Sequence, residues 1–381
     1  MIRVDVRPEL LRWALDRSGI GGASLTRRFP KLDAWERGEA RPTFKQLEEF
    51  AGATHTPFGY FFLPAPPVER VPIPDFRTIR NEQIAQPSAN LLEMLYTCQQ
   101  RQEWYRDFAR LVGEPPVPFV GSVTTAARPE EVAGDMRAAL GFDLAKRKAC
   151  PTWEEALRQF ITQTDEAGVM VMCSGVVLNN THRPLDPDEF RGFALADPLA
   201  PLVFVNGADT KSAQMFTLAH ELAHLWLGQS ALSDAGPAAR PDHAVERWCN
   251  QVAAELLVPL EILRADLRPE VDLWAEVKRL AGRFKVSTLV ILRRLLDVGR
   301  LSWPAFAAAY DKELQRLLAL PRGSGGNFYL TLGARASKRF SRALVISTIE
   351  GHTSFTEALR LLGFRKMATF REVGQQLGVA W

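Results

Sequence analysis

Apolar residues recur at helical spacing along most of the chain and crowd into two short runs of strand-like character. Leu91, Leu95, Cys98, Tyr105, Phe108 and Val112 predict a long amphipathic helix over residues 88–112. A proline-rich break at 114–118 follows it, and the helical period returns near 129–140 and 153–167. The runs 168–172 and 202–206 are continuously apolar with β-branched content and read as sheet strands. Phe216, Leu218, Ala219, Leu222, Ala223 and Leu225 form the next helical stripe, with Asp209 and Thr210 placed to cap it and Gly228 to end it. Residues 245–257 read as a largely buried helix stopped by Pro259. Residues 271–301 are helical with a turn and cap at 284–287. Many helices around few strands predict a helix-rich α+β fold.

The flanks differ from this middle part. Residues 7–66 read as several short helices, with Leu47, Phe50 and Ala51 at helical spacing. Pro64, Pro66, Pro67, Pro72 and Pro74 then predict a stiff linker. Past residue 301 the glycine-rich stretch 323–329 reads as a loop, followed by a helix carrying Arg335, Lys338, Arg339 and Arg342. The expected division is an N-terminal helical module over 1–66, a linker with connecting helices over 67–150, a sheet-bearing core over 151–300 and a helical extension over 301–381.

Composition adds limits. The 381 residues are 46% hydrophobic, enough for normal packed cores in two or three domains. No run of 18 apolar residues occurs and residues 1–5 lack the apolar stretch of a secretory signal, so the expectation is a cytoplasmic protein with no membrane partner. Cys98, Cys150, Cys173 and Cys249 are scattered without a CxxC pair and are expected to be reduced. A formal charge of +3 does not by itself argue for nucleic-acid binding.

The chemistry concentrates at His220-Glu221-Leu222-Ala223-His224. Histidines four apart on a helix share a face, so both imidazoles reach one metal ion at about 2.0–2.1 Å, the zinc–nitrogen distance. Glu221 is then placed to act as general base toward water that zinc has acidified to a pKa of about 7. A third protein ligand is needed. Glu246 opens the next buried helix after 21 intervening residues, with Glu255 and His243 as rivals.

The stretches 205–211 and 215–228, the helix over 250–259, and Glu189-Phe190-Arg191-Gly192-Phe193-Ala194-Leu195 resemble the ImmA/IrrE family of zinc metallopeptidases. That resemblance implies a zincin-like core and a cytoplasmic endopeptidase that relieves repression by cutting a repressor, often one of the helix-turn-helix class. It matches His220, His224 and Glu246 to the ligands of one zinc ion per chain and Glu221 to the general base. Asn250, one turn after Glu246, is the candidate to orient that carboxylate. His243, Arg191 and Tyr329 are candidates for an oxyanion or substrate contact.

Residues 35–43 resemble the end of an XRE-type helix-turn-helix, but 21–31 is about four residues short of the usual second helix, turn and recognition-helix start. Base readout needs the front of that helix, whereas phosphate contacts need only charge, which leaves Arg27, Arg28 and Lys31 as candidate DNA contacts. From Gln315 to Ile349 there are six basic residues and no acidic one, making Arg335, Lys338, Arg339 and Arg342 candidates for phosphates or an acidic partner. By the same resemblance, such C-terminal extensions occur beside toxin or nuclease genes. The alternative function is therefore a DNA- or toxin-binding regulator with a structural or sensory metal.

Overall fold

The computed structural model describes residues 2–20, 22–77, 87–233, 243–319 and 335–379. The chain divides into two compact units, Met1–Pro72 with Gln83–Leu95, and Ile73–Glu82 with Tyr96–Trp381.

The first unit holds α1 (Pro8–Ser18), α2 (Gly22–Arg28), α3 (Leu32–Glu36), α4 (Phe44–Thr54) and a 3-10 turn at Phe58–Phe62. Pro8 starts α1, where a missing N–H costs nothing, and Gly19 stops it at φ +62°. Thr43 and Gln46 form a reciprocal capping box at the start of α4. Leu10, Leu11, Leu32, Trp35, Leu47, Phe50 and Phe61 are buried together, with Phe50 set edge-on to Phe29 and Trp35. The third helix is five residues long, little more than one turn.

In the second unit a four-stranded mixed sheet is ordered β1-β3-β2-β4, from β1 (Met170–Ser174), β2 (Gly192–Leu195), β3 (Leu202–Asn206) and β4 (Ala231–Ser233). β1 pairs parallel with β3, while β2 runs antiparallel to both β3 and β4. The expected runs at 168–172 and 202–206 are β1 and β3. The residues of β2, β3 and β4 are all buried, which explains runs without alternation.

Around the sheet lie the part of α5 (Ala89–Val112) from Tyr96 onward, α6 (Pro129–Leu140), α7 (Leu144–Ala149), α8 (Trp153–Glu166), α9 (Lys211–Trp226), α10 (Ala244–Leu257) and α11 (Leu260–Asp266). Beyond them come α12 (Leu273–Phe284), α13 (Thr288–Asp297), α14 (Trp303–Leu318), α15 (Lys338–Ile349), α16 (Phe355–Leu362) and α17 (Met367–Gln376). Helix α9 crosses β2 and β3 and packs on α10, which leans on α6. The core is continuous from Val132 through Phe160, Val203 and Leu218 to Leu256, Leu280 and Leu292. Ser287 caps α13 as its sequence position predicts. Helix α9 ends where residues 119–123 fold over it. Phe119 stacks on Trp226 with ring centroids 3.9 Å apart, and Gly121 N–H donates to the Leu225 carbonyl at 3.0 Å. Gly228 sits there at φ +68°, and a Cβ would meet Gly121 Cα at 2.9 Å, so glycine is required on both counts.

Buried guanidiniums tie the outer helices down. Arg147 donates to the last carbonyls of α12, Phe284 and Lys285, at 2.8 and 2.9 Å. Asp165 accepts from Ser337 Oγ and the Arg339 N–H at the start of α15, where a carboxylate is favourable. All four cysteines are free thiols, with Cys98 and Cys249 buried. No helix among the described residues is long and apolar enough to cross a membrane.

Candidate metal centre

Thr210 caps α9 by accepting the Ala213 N–H at 3.3 Å, and every side chain from Gln214 to Trp226 is buried. One face of this helix rests on the sheet while the other meets α10. His220 and His224, one turn apart, therefore project into the α9–α10 interface, where Glu246 stands in the first turn of α10. His220, Glu221 and His224 are fully buried, and Glu246 nearly so at 2% exposure.

Three side chains converge. His220 Nε2 and His224 Nε2 are 3.1 Å apart, Glu246 Oε2 is 3.1 Å from the first, and Glu246 Oε1 is 2.9 Å from the second. Two ligands about 2.05 Å from a tetrahedral ion stand about 3.3 Å apart, so this triangle has the dimensions of a zinc face. Its electronics point the same way. Asn250 Oδ1 can only accept, so the 3.0 Å contact makes His220 Nδ1 a donor and, in the neutral ring, leaves the Nε2 lone pair facing the triangle. Lone pairs and a carboxylate packed this closely in the interior call for a cation among them. No other group of three such residues converges among the described residues.

The protonation of the metal-free site follows. Burial pushes the Glu246 carboxyl up, but the two imidazoles outweigh it and hold the group well below the usual carboxylate range. Burial pulls His220 down, yet the charge of Glu246 raises it overall, whereas for His224 burial prevails and lowers it. Glu221 is pushed up to about 8, by burial first, with His220 opposing and Glu246 reinforcing. No group among the described residues completes a hydrogen bond of normal geometry to either Glu221 oxygen. Ser233 lies close enough to oppose the rise slightly, and a buried carboxyl held this loosely is set up to exchange a proton with a substrate or water.

The sheet presses on this group. A Cβ at Gly192 would lie 2.5 Å from Thr217 Cγ2 and 3.1 Å from Glu221 Cγ, so the backbone of β2 supports the stem of Glu221 directly. Asn250 is bonded to His220 and not to Glu246, a correction to its expected role: one turn beyond Glu246 it faces α9. Glu255 is engaged elsewhere, paired with buried Arg294 and accepting the Leu260 N–H. His243 stands exposed at the N-terminus of α10. Arg191 Nη1 lies 3.6 Å from Asp209 Oδ2, while its main chain joins Ser233 and Asn206. Tyr329 lies outside the described residues.

Among the candidate nucleic-acid contacts, Arg27, Arg28 and Lys31 are exposed in the first unit, and Lys338 and Arg342 are exposed on α15. Arg335 donates to Asn179 Oδ1 at 3.1 Å, and Arg339 pairs with Glu114 at 2.6 Å and lies over the Tyr105 ring. These two guanidiniums are used inside the fold, which breaks up the basic stretch seen in the sequence.

Two residues at the site escaped sequence reasoning. Gly192 leads a strand too short to show a period, and Phe76 stacks on His224 from a segment read only as linker. The aromatic between Asp75 and Arg77, a charged pair in a proline-rich stretch, was the available signal.

The buried His-Glu-x-x-His helix and the glutamate of the following helix form a group that could hold a metal ion. Residues 164–296, which contain the whole triangle, match the IrrE N-terminal-like domain, that of metallopeptidases of the ImmA/IrrE type. Residues 336–376, covering α15 to α17, match a domain of unknown function (DUF8813). No curated protein matches the chain.

Proposed function

We propose that this chain is a zinc-dependent endopeptidase, with His220, His224 and Glu246 holding one zinc ion and Glu221 as the general base. The observation that carries the reading is the 2.9–3.1 Å triangle of two Nε2 atoms and a carboxylate beside a fully buried glutamate that completes no hydrogen bond of normal geometry among the described residues. Zinc, when bound, supplies a Lewis acid and makes water nucleophilic near neutral pH. Asn250 keeps His220 in the tautomer that presents Nε2. Glu221 lies at a carboxyl pKa of about 8 in the metal-free fold, and a cation at the neighbouring triangle lowers it, so the group takes a proton as base and returns it to the leaving amine. A purely structural site, by contrast, has no use for a second buried carboxyl next to its ligands.

The substrate in this reading is a protein, specifically a helix-turn-helix repressor, cut in a stress-response, mobile-element or toxin-antitoxin circuit. It rests on the match of residues 164–296 and on the resemblance of the first unit to a shortened helix-turn-helix module. With a third helix of five residues, that module keeps phosphate contacts through Arg27, Arg28 and Lys31 at most. The test is Glu221→Gln, assayed against the candidate repressor. The variant should keep its zinc and lose cleavage; cleavage by a zinc-loaded Glu221→Gln protein would remove the assignment.

A further inference from the structure

The two histidines of the triangle are oriented by different means. His220 has a hydrogen bond from Nδ1 to Asn250, which fixes the rotation of its ring. His224 is equally buried, but among the described residues its Nδ1 has no hydrogen-bond partner. An imidazole that presents one nitrogen to a fixed point still needs its ring rotation set, because that terminal torsion is intrinsically broad. The ring lying against it is Phe76, with centroids 6.2 Å apart and planes within 7° of parallel. Phe76 also meets the ring of His243 at 5.3 Å and 62°.

Phe76 is itself firmly held. Leu232 N–H donates to the Pro74 carbonyl and Phe76 N–H donates to the Leu232 carbonyl, both at 2.9 Å, so Asp75 pairs with Leu232 in parallel along the outer edge of β4. The next residue, Arg77, has a side chain only 1% exposed. Its Nε and Nη2 grip the Asp75 carboxylate at 2.8 and 2.6 Å, and its Nη1 lies 3.8 Å from a Glu189 carboxylate oxygen. Sheet pairing through Pro74 and Phe76 and the bidentate Asp75–Arg77 ion pair fix the main chain on both sides of the half-buried Phe76 ring.

We infer that Phe76 is a positioning residue of the metal centre: strapped to the edge of β4, its ring sets the plane of the His224 imidazole, as Asn250 sets that of His220. The inference rests on the zinc reading above. It places a necessary part of the site in the segment Pro74–Arg77, upstream of the matched domain at 164–296.

The test is zinc affinity of the full chain by chelator competition, for wild type, Phe76→Leu, Phe76→Tyr and Asn250→Ala, with cobalt(II) absorption read on the same proteins. Phe76→Leu keeps apolar bulk but lacks a flat face, and should weaken zinc binding about 10–100-fold, the range for losing an outer partner of a ligand. Its cobalt d–d bands should change as well. Phe76→Tyr should restore both readouts, and Asn250→Ala should resemble Phe76→Leu. A Phe76→Leu protein with wild-type affinity and cobalt spectrum overturns the inference. If the wild type binds neither metal, the zinc reading fails and the metal-free protein decides on Phe76 alone. Nuclear Overhauser contacts from the His224 ring should then become averaged in Phe76→Leu and stay defined in Phe76→Tyr; defined contacts in both count against the role.

Discussion

Replacing Gly192 by alanine puts a methyl group where β2 and α9 approach most closely. The new carbon would lie 2.5 Å from Thr217 Cγ2, 2.9 Å from the Phe204 carbonyl oxygen and 3.1 Å from Glu221 Cγ. Ordinary carbon–carbon contact begins near 3.5 Å, so the first contact alone needs about 1 Å of movement. Neither tight neighbour can swing away: Thr217 is a buried β-branched side chain at 1% exposure, and the oxygen belongs to the main chain of β3. The strain must separate strand from helix, and Glu221 lies one turn along the same helix. Overpacking of this kind costs about 1–3 kcal/mol. A base displaced by up to about 1 Å loses up to about 100-fold in turnover. Gly282 in α12 is the control, because a Cβ there meets nothing within 4 Å, and Gly282→Ala should stabilise by about 0.4–1 kcal/mol through the unfolded chain. Urea unfolding of both variants without metal, followed by zinc content and cleavage rate, reads each part. A Gly192→Ala protein of wild-type stability and activity, or a Gly282→Ala protein destabilised as much as Gly192→Ala, would refute this reasoning.

Other outcomes follow from the same structure. In the metal-free protein Glu221 titrates at about 8 and His220 above its ordinary value, so zinc binding at pH 7 should expel about one proton or more and tighten from pH 6 to 8. Calorimetry in buffers of different ionisation heat measures this, and a pH-independent affinity with no proton release contradicts it. Because folded Glu221 keeps its proton up to about 8, against an ordinary 4.5, the unfolded chain releases its proton first. Metal-free stability should therefore fall as pH rises between those values, and Glu221→Gln should remove that part of the fall. Denaturation of both proteins at pH 5 and 8 tests the sign. Glu255→Gln removes one of the two carboxylates that pair with the buried Arg294 guanidinium, leaving Asp297 at 3.2 Å, and should destabilise by about 1–3 kcal/mol while leaving zinc content unchanged.

What the sequence disclosed, and what it hid, divides by range. The helix carrying His220 and His224 was legible because cap, stripe and stop all lie within twenty residues, and Glu246 because ligand spacing restricts where a second helix can offer a carboxylate. The strands β1 and β3 were visible as apolar runs. The strands β2 and β4, at four and three residues, are too short to show a period, yet they place Gly192 under Glu221 and give Phe76 its edge. Asn250 was placed on the right helix with the wrong partner, since the sequence shows which turn it occupies and not which neighbour that turn meets. The C-terminal arginines looked like one basic face because Glu114, which pairs with Arg339, lies 225 positions away. Contacts at that separation leave no local pattern.

The most direct test of the central claim is zinc per chain, by elemental analysis, for wild type, Glu246→Gln and Glu255→Gln purified without added metal. The His220, His224 and Glu246 site predicts about one zinc in the wild type, retained in Glu255→Gln and lost in Glu246→Gln. Zinc retained by Glu246→Gln, or lost equally from both variants, contradicts it.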